Sequence, residues 1–116
     1  MDWKSFLDQA RASFETLGKA TPETFAGFST MAKPAKKEGE LSEKTKEFIA
    51  LGIAVATRCD SCIGLHMEHL IRLGATRGEV VEALSMCSYM GGGPSIMYSA
   101  KALEAYDQLK KLTAGK

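Results

Sequence analysis

The sequence predicts one all-α domain of about six helices, which we assign to residues 1–116. Apolar residues recur at three- and four-residue spacing along most of the chain, and glycine, proline and capping residues divide this pattern into six segments. No segment alternates apolar and polar side chains as a half-buried strand does. A chain of 116 residues is long enough to bury a core without disulfide or metal staples.

The first two helices are predicted from their apolar spacing and from the residues at their ends. The first should begin near Trp3 and stop at Gly18. Pro22 suits the first turn of the second helix, where its missing N–H costs nothing. We expect that helix to end before Pro34, because proline breaks a helix interior, and we expect residues 35–40 to form a loop.

The third helix should begin after Ser42, a favourable N-cap residue. It contains an apolar run from residue 48 to residue 56. Because a helix that is apolar on all sides is usually buried, we expect this one at the centre of the core, with Ile49, Ile53 and Val55 among the core residues.

Three further helices follow. Asp60 is a plausible cap for the fourth, which should stop at Gly74. The spacing of residues 76–79 predicts a capping box at the start of the fifth. Residues 91–94 should break that helix, and the sixth should run over about residues 95–112. The fourth helix should complete the core with Leu65, Leu70 and Leu73. The residues expected to cover this core or to meet another subunit are Trp3, Phe6, Phe14, Leu103 and Tyr106.

The composition excludes several classes of partner. The chain has 15 basic and 14 acidic side chains, so its net charge of +1 gives no electrostatic footprint for nucleic acid or an anionic membrane. No apolar run approaches the length of a membrane span, and the N-terminal residues do not follow the pattern of a signal peptide. With three cysteines, an odd number, the chain is also unlike a secreted disulfide scaffold. These features predict a cytoplasmic protein.

Cys59, Cys62 and His66 form the constellation with the clearest chemistry. A Cys-x-x-Cys spacing lets both sulfurs meet within one helical turn, and His66 follows Cys62 by four residues on the same helix face. The pair falls where a helix should begin, and unpaired N–H groups and the helix dipole stabilise a thiolate there. That argument alone favours Cys59, the residue nearer the helix end, as the more acidic thiol.

Glu47 is the fourth candidate, at the polar-to-apolar transition of the third helix. Its carboxylate could reach the cysteine face if the third and fourth helices pack antiparallel. A carboxylate beside a histidine and a thiol can accept or relay a proton.

The spacing of Glu47, Cys59, Cys62 and His66 resembles that of the alkylhydroperoxidase-D-like group in the carboxymuconolactone decarboxylase superfamily. Glu47 lies twelve residues before Cys59, and the segment after His66 is similar as well. The resemblance covers roughly residues 41–106. It is fairly specific, because four residue types must fall at fixed distances.

This resemblance implies an all-α fold with the cysteine pair at a helix start, assembled as a homotrimer or homohexamer. It also implies reduction of a small hydroperoxide, or exchange with a dithiol reductant or partner redox protein. By this likeness Cys62 attacks the peroxide and Cys59 resolves the resulting sulfenic acid to a disulfide. Glu47 and His66 would relay protons. Ser61 stands where the best-known hydroperoxidases of the group have a second histidine, which bears more on peroxidase activity than on dithiol chemistry.

Other readings remain open at this point. A lactone lyase could use His66 or Glu47 as its acid–base group, although the lyases of the superfamily lack the cysteine pair. A structural zinc module would need a fourth ligand such as His69, Cys87 or Glu47. We favour the redox reading with no cofactor and no metal, and we expect His69 to be a packing or partly exposed histidine and Cys87 a core residue.

Overall fold

Six α-helices account for nearly all of residues 1–114, the part of the chain that the computed structural model describes, and this part contains no strand. The all-α prediction is therefore confirmed. The helices are α1 (Trp3–Ala20), α2 (Pro22–Lys36), α3 (Glu43–Ala56), α4 (Asp60–Arg72), α5 (Arg77–Gly91) and α6 (Gly93–Ala114).

Side-chain caps form at the starts of α1, α3, α4 and α5, and the last three test predicted boundaries. The Ser42 side chain accepts a hydrogen bond from the Thr45 backbone N–H at the start of α3, as predicted. Thr76 and Glu79 form the predicted capping box of α5, each side chain accepting from the other residue's backbone N–H. For α4 the predicted cap was wrong by one residue. Cys59, not Asp60, is the N-cap, and its sulfur accepts from the backbone N–H of Cys62 at 3.2 Å.

One predicted helix break, the one before Pro34, was also misplaced. α2 continues through Pro34 to Lys36. Pro34 lies in the last turn, where little of the hydrogen-bond ladder follows it, and Lys46 of α3 donates to the carbonyl oxygens of Ala35 and Lys37 at this helix end.

Between α5 and α6, Gly92 alone separates the helices, and its φ of +70° turns the chain. The neighbouring glycines belong to the two helices, and Pro94 lies in the first turn of α6, where proline is tolerated.

The core lies where α1, α3, α4, α5 and α6 meet. Val55, Leu70, Trp3 and Tyr106 are buried, as expected. The largest fully buried side chains are Trp3, Leu7, Leu51, Ile63, Met67, Leu70, Val55 and Val80.

The prediction that α3 is buried on all sides was wrong. Ile49 and Ile53 are 50% and 59% exposed. Only the face of α3 that carries Leu51, Ala54 and Val55 packs inside the chain, so the opposite face remains uncovered.

The C-terminal half of α1 and the whole of α2 form a projecting helical hairpin, which we call the arm (residues 11–36). The structure describes every residue of α2, and none of them is buried. Its contact with α1 includes Phe14 and Phe25, whose ring centroids are 4.6 Å apart. Phe14, which we expected over the core or at a subunit contact, is 56% exposed on this hairpin.

Across residues 1–114, no helix has both the length and the apolar character needed to cross a membrane.

Candidate active site

The two predicted redox cysteines are bonded to each other. Cys59 and Cys62 form a disulfide with their Cα atoms 5.2 Å apart, and both residues are half-buried. The bond closes the first turn of α4, where backbone N–H groups have no partners within the helix. The prediction of a Cys-x-x-Cys pair at a helix start is confirmed, and neither cysteine is fully buried.

A compact turn between α3 and α4 places this pair. The Arg58 N–H donates to the carbonyl of Val55 at 3.2 Å, and the Cys59 N–H donates to that of Ala54 at 3.0 Å. This pattern is a Schellman motif, which usually has glycine in its left-handed position. Here Arg58 occupies that position with a φ of +57°, a conformation that costs a residue with a Cβ about 1–2 kcal/mol. Two backbone bonds thus fix Cys59 directly against the end of α3.

Glu47 and His66 meet across the antiparallel pair formed by α3 and α4. The Glu47 Oε2 atom lies 2.6 Å from His66 Nδ1, and Glu47 is only 3% exposed. An ionised carboxylate only accepts hydrogen bonds, so with Glu47 in that form Nδ1 of His66 donates in this contact, and Nε2 is the acceptor nitrogen of that tautomer. The structure brings these two predicted residues together, and His66 lies one turn after Cys62 on α4.

His69 lies on the other side of the same carboxylate. Its Nδ1 atom is 3.9 Å from Oε1 of Glu47, and its side chain is 38% exposed. Burial lowers the pKa of His69 below its ordinary value, and the positive charges of Arg72 and Lys36 lower it further, whereas Glu47 opposes the shift. His69 is partly exposed, as expected, but its place beside Glu47 was missed. Its spacing from His66 was the only signal in the sequence.

A second ion pair reaches the cysteine turn from α6. The Nζ atom of Lys101 lies 3.1 Å from each carboxylate oxygen of Asp60, the residue that follows Cys59. Sequence reasoning did not single out Lys101, because a lone lysine on a long helix gives no signal of its partner.

A groove of about 600 Å³ borders Ser61, the other residue between the cysteines. Its walls include Phe6, Phe14, Leu17 and Leu65. Arg11 also lines this groove and pairs with Glu68 of α4.

The third cysteine is separate from the pair. Cys87 of α5 is half-buried and faces Gly52 of α3, and burial raises the pKa of its thiol above the ordinary value. In the described part of the chain no group of three or more His, Cys, Asp or Glu side chains is arranged to hold a metal ion.

Comparison with known proteins gives one consistent answer. The model of the carboxymuconolactone decarboxylase family matches residues 22–105. A protein of Cupriavidus necator is 38% identical over 108 residues, which cover 93% of this chain and 96% of that protein. A Haemophilus influenzae protein is 38% identical over 109 residues, covering 94% and 96%. Both relatives are uncharacterized.

Two solved structures share the fold. A carboxymuconolactone decarboxylase family protein from Legionella pneumophila superposes with a TM-score of 0.89 at 44% identity, over 93% of this chain and 96% of that one. A family protein from Thermotoga maritima, named for a possible role in the antioxidative response, gives 0.77 at 26% identity over 94% and 93%. The chain belongs to the carboxymuconolactone decarboxylase family.

Proposed function

We propose that this member of the carboxymuconolactone decarboxylase family is a thiol-dependent oxidoreductase that cycles Cys59 and Cys62 between dithiol and disulfide. The observation that carries the proposal is the half-buried disulfide at the start of α4, one turn from a histidine that a buried carboxylate holds. Its substrate is a small hydroperoxide, and a dithiol reductant or a partner redox protein restores the thiols.

The oxidising half of the cycle begins with Cys62. Its thiolate attacks the terminal oxygen of the hydroperoxide, the O–O bond breaks, and the alkoxide leaves as an alcohol after taking a proton. Cys62 is thereby oxidised to a sulfenic acid. The Cys59 thiolate then attacks that sulfur, the S–S bond forms, and hydroxide leaves and is protonated to water.

The reducing half uses an external dithiol. One of its thiolates attacks the Cys59–Cys62 disulfide to form a mixed disulfide, and its second thiolate releases the protein as the dithiol. The reductant leaves as its own disulfide, so two electrons enter for each peroxide reduced.

His66 and Glu47 manage the protons in this scheme. Nε2 of His66 accepts the proton of the Cys62 thiol and later donates it to the departing alkoxide. Glu47 holds the imidazole through Nδ1 and stabilises its charged form, because the carboxylate is buried 2.6 Å away. This division of roles resembles the way a carboxylate orients a catalytic histidine in hydrolases.

The choice of Cys62 as attacking thiol rests on the family likeness, since the helix start alone favours Cys59. Two single variants decide between them. Cys59→Ser should retain one peroxide-dependent oxidation of Cys62 to the sulfenic acid, which a dimedone adduct detected by mass spectrometry would reveal. Cys62→Ser should give no adduct at Cys59. The reverse pattern would exchange the two roles.

The central experiment measures peroxide consumption with dihydrolipoamide as reductant and with hydrogen peroxide or an organic hydroperoxide as oxidant. We expect turnover by the wild type and by the matched control Cys87→Ser, and none by Cys62→Ser. A wild type that is inert with every dithiol and peroxide, or a Cys62→Ser variant that is unimpaired, contradicts the proposal. Turnover of a lactone that survives loss of both cysteines, or stoichiometric thiolate-bound zinc, would favour the corresponding alternative.

We further propose that the protein works as a homotrimer or homohexamer. The chain has 7529 Å² of accessible surface, whereas a compact monomer of its mass has about 6,200 Å². The excess of roughly 1,300 Å² exceeds the 800 Å² or so that each partner buries in an interface of standard size. Apolar side chains at that surface include Ile49, Ile53, Met86, Met90, Ile96, Met97, Phe28 and Met31.

Light scattering on the purified protein tests this assembly. We expect the mass of three or six chains for the wild type and a smaller species for Ile53→Glu, because a charge at an apolar contact is costly to bury. A matched charge at the exposed, polar position Lys110 should leave the mass unchanged. A monomeric wild type would contradict the proposal.

A cytoplasmic location also fits the proposed cycle, because reductants in that compartment keep dithiols available. Fractionation of cells followed by immunodetection would test it, and recovery in a membrane or extracytoplasmic fraction would contradict it.

A further inference from the structure

Asp60 introduces a negative charge into the redox turn. It follows Cys59 directly and occupies the first helical position of α4, and its side chain is 27% exposed. A carboxylate near a thiol disfavours the thiolate form, because the two negative charges repel. Left alone, Asp60 would therefore work against the chemistry proposed for Cys59 and Cys62.

Lys101 of α6 contacts this carboxylate symmetrically. Its Nζ atom lies 3.1 Å from each of the two oxygens of Asp60. The same ammonium group stands 4.8 Å from the ring centroid of Tyr98, within the range of a cation–π contact. Two partners thus hold the lysine head group, one on the redox turn and one a turn earlier on its own helix.

We propose that Lys101 is a positioning residue that acts through Asp60: it ties the Cys59–Cys62 turn to α6 and offsets the carboxylate charge, so that the reduced pair ionises more readily. The proposal deepens the proposed function, because it concerns the same cysteine pair. It does not depend on the identity of the oxidant.

The remaining charges near the pair do not replace Lys101 in this role. Arg58 precedes Cys59 but is exposed at the tip of the turn. His66 is engaged by Glu47 of α3. From α1, Arg11 pairs with Glu68, which lies toward the other end of α4. Among the contacts of the described residues, Lys101 is the cation that touches Asp60.

Partial exposure makes stability a poor measure of this ion pair. Lys101 is 37% exposed, and pairs of that kind contribute little to the free energy of unfolding. The charge effect on a neighbouring thiolate is a separate quantity, and one pKa unit corresponds to a tenfold change in thiolate fraction below the pKa. A purely structural lysine would alter stability without a charge-dependent shift of thiol reactivity.

The experiment measures the pH profile of iodoacetamide alkylation of the reduced protein in a Cys87→Ser background, so that only the pair reacts. Lys101→Met should raise the midpoint of the more acidic thiol, and at a pH below that midpoint alkylation should slow about three- to tenfold. Asp60→Asn should move the midpoint in the opposite direction. The double variant should lie near the background protein, and Lys101→Arg should preserve the profile.

Lys110→Met serves as the matched control, since it removes a positive charge from an exposed position further along α6. An unchanged midpoint in Lys101→Met, or a shift of equal size in Lys110→Met, would overturn the proposal. If Lys101→Met fails to fold, Lys101→Gln, which keeps a polar head group without the charge, takes its place, and an unchanged midpoint in that variant would likewise overturn the proposal. The profile is measured without peroxide, so an inert peroxidase assay would refute the proposed function and leave this test intact.

Discussion

α4 and α2 are helices of similar length with opposite relations to the rest of the chain. α4 has 13 residues and buries five of them, whereas α2 has 15 and buries none. Gly64 shows how closely α4 is packed, because any side chain there would overlap Leu7 of α1. α2 leaves Phe28 and Met31 more than half exposed.

The contrast shows what each helix can do. A helix fixed by the core can hold its side chains at constant distances from one another, as α4 does for Cys62 and His66. A helix without buried residues draws little stability from its own chain, because helices depend on packing of an apolar face. The arm is therefore the region whose stability should depend most on a second copy.

Truncating the same kind of side chain in the two helices should give the largest difference. Leu70→Ala in α4 removes a fully buried side chain and should lower the free energy of unfolding by about 2–5 kcal/mol. Phe28→Ala in α2 removes a side chain that is 55% exposed, and within one chain it should cost less than about 0.5 kcal/mol. Urea unfolding measures both.

Protein concentration sharpens this comparison. If the arm packs on another copy, the cost of Phe28→Ala should grow with concentration, because binding of copies stabilises the folded state by mass action. The loss of stability caused by Leu70→Ala should not depend on packing of the arm against another copy. A large cost for Phe28→Ala in dilute monomer would mean that α2 is anchored within the chain after all.

The next largest effect should come from replacing Glu47, the buried carboxylate beside His66. Glu47→Gln keeps the shape of the side chain but removes the carboxylate that contacts His66 Nδ1 and that stabilises the charged imidazole in the proposed cycle. We expect peroxide turnover to fall about 100-fold, within the usual range for loss of general acid–base assistance. Single-turnover oxidation of the reduced protein measures the effect apart from re-reduction.

The matched control lies in the other helix. Glu23→Gln removes an exposed carboxylate from the first turn of α2 and should leave turnover unchanged. Equal losses in the two variants would show that overall charge, not the Glu47–His66 contact, controls the rate.

Much of this architecture was predictable because it depends on residues close together in the sequence. The apolar spacing predicts each helix, and the capping box of Thr76 and Glu79 predicts one boundary closely. The misplaced end of α2 has a physical cause. Proline and glycine signal a break, but the cost of Pro34 depends on how much helix follows it, and Lys46 reaches that end from elsewhere in the chain.

The site was predictable where its members share a helix and less so where they do not. Cys59, Cys62 and His66 follow from spacing alone, and Glu47 was linked to them through an assumed antiparallel packing of α3 and α4 and through the family resemblance. Lys101 lies 41 residues from Asp60, and nothing local to α6 indicates that contact. The exposure of Ile53 was missed for a related reason, since an apolar run does not say whether its second face is covered by the same chain or by another.

Reduction of the disulfide should have a moderate effect on stability. The bond joins residues only three apart in sequence, and a loop of that size constrains the unfolded chain by about 2 kcal/mol. Cys62 packs against the core, but neither cysteine is among its fully buried residues, so the reduced protein should remain folded, as the proposed redox cycle requires. Urea unfolding of Cys87→Ser with and without a phosphine reductant measures this, and unfolding on reduction alone would contradict it.

The smallest expected effect is on the pH dependence of stability, and it involves His69 of α4 and the nearby end of α2. Its pKa is lowered mainly by burial, and among the charges that lower it further is Lys36, at the end of α2. As the pH falls through the ordinary histidine pKa of about 6.5, the unfolded chain binds a proton at this residue more readily than the folded chain does. The folded state therefore loses stability on acidification. Replacing His69 by a side chain that does not titrate should remove that loss.

The expected signature is a change of slope. Between pH 8 and pH 5, the free energy of unfolding of His69→Gln should fall less steeply than that of the wild type. The difference in slope should correspond to the uptake of less than one proton on unfolding. Lys36→Met should give an intermediate slope, because it removes one of the charges that depress the pKa and leaves burial in place. Urea unfolding at a series of pH values measures all three proteins, and a steeper fall in His69→Gln would mean that Glu47 outweighs burial at this histidine. Lys36 acts on His69 through its charge, so its effect on the His69 pKa should also shrink as salt is added. The lowering of that pKa by burial should persist.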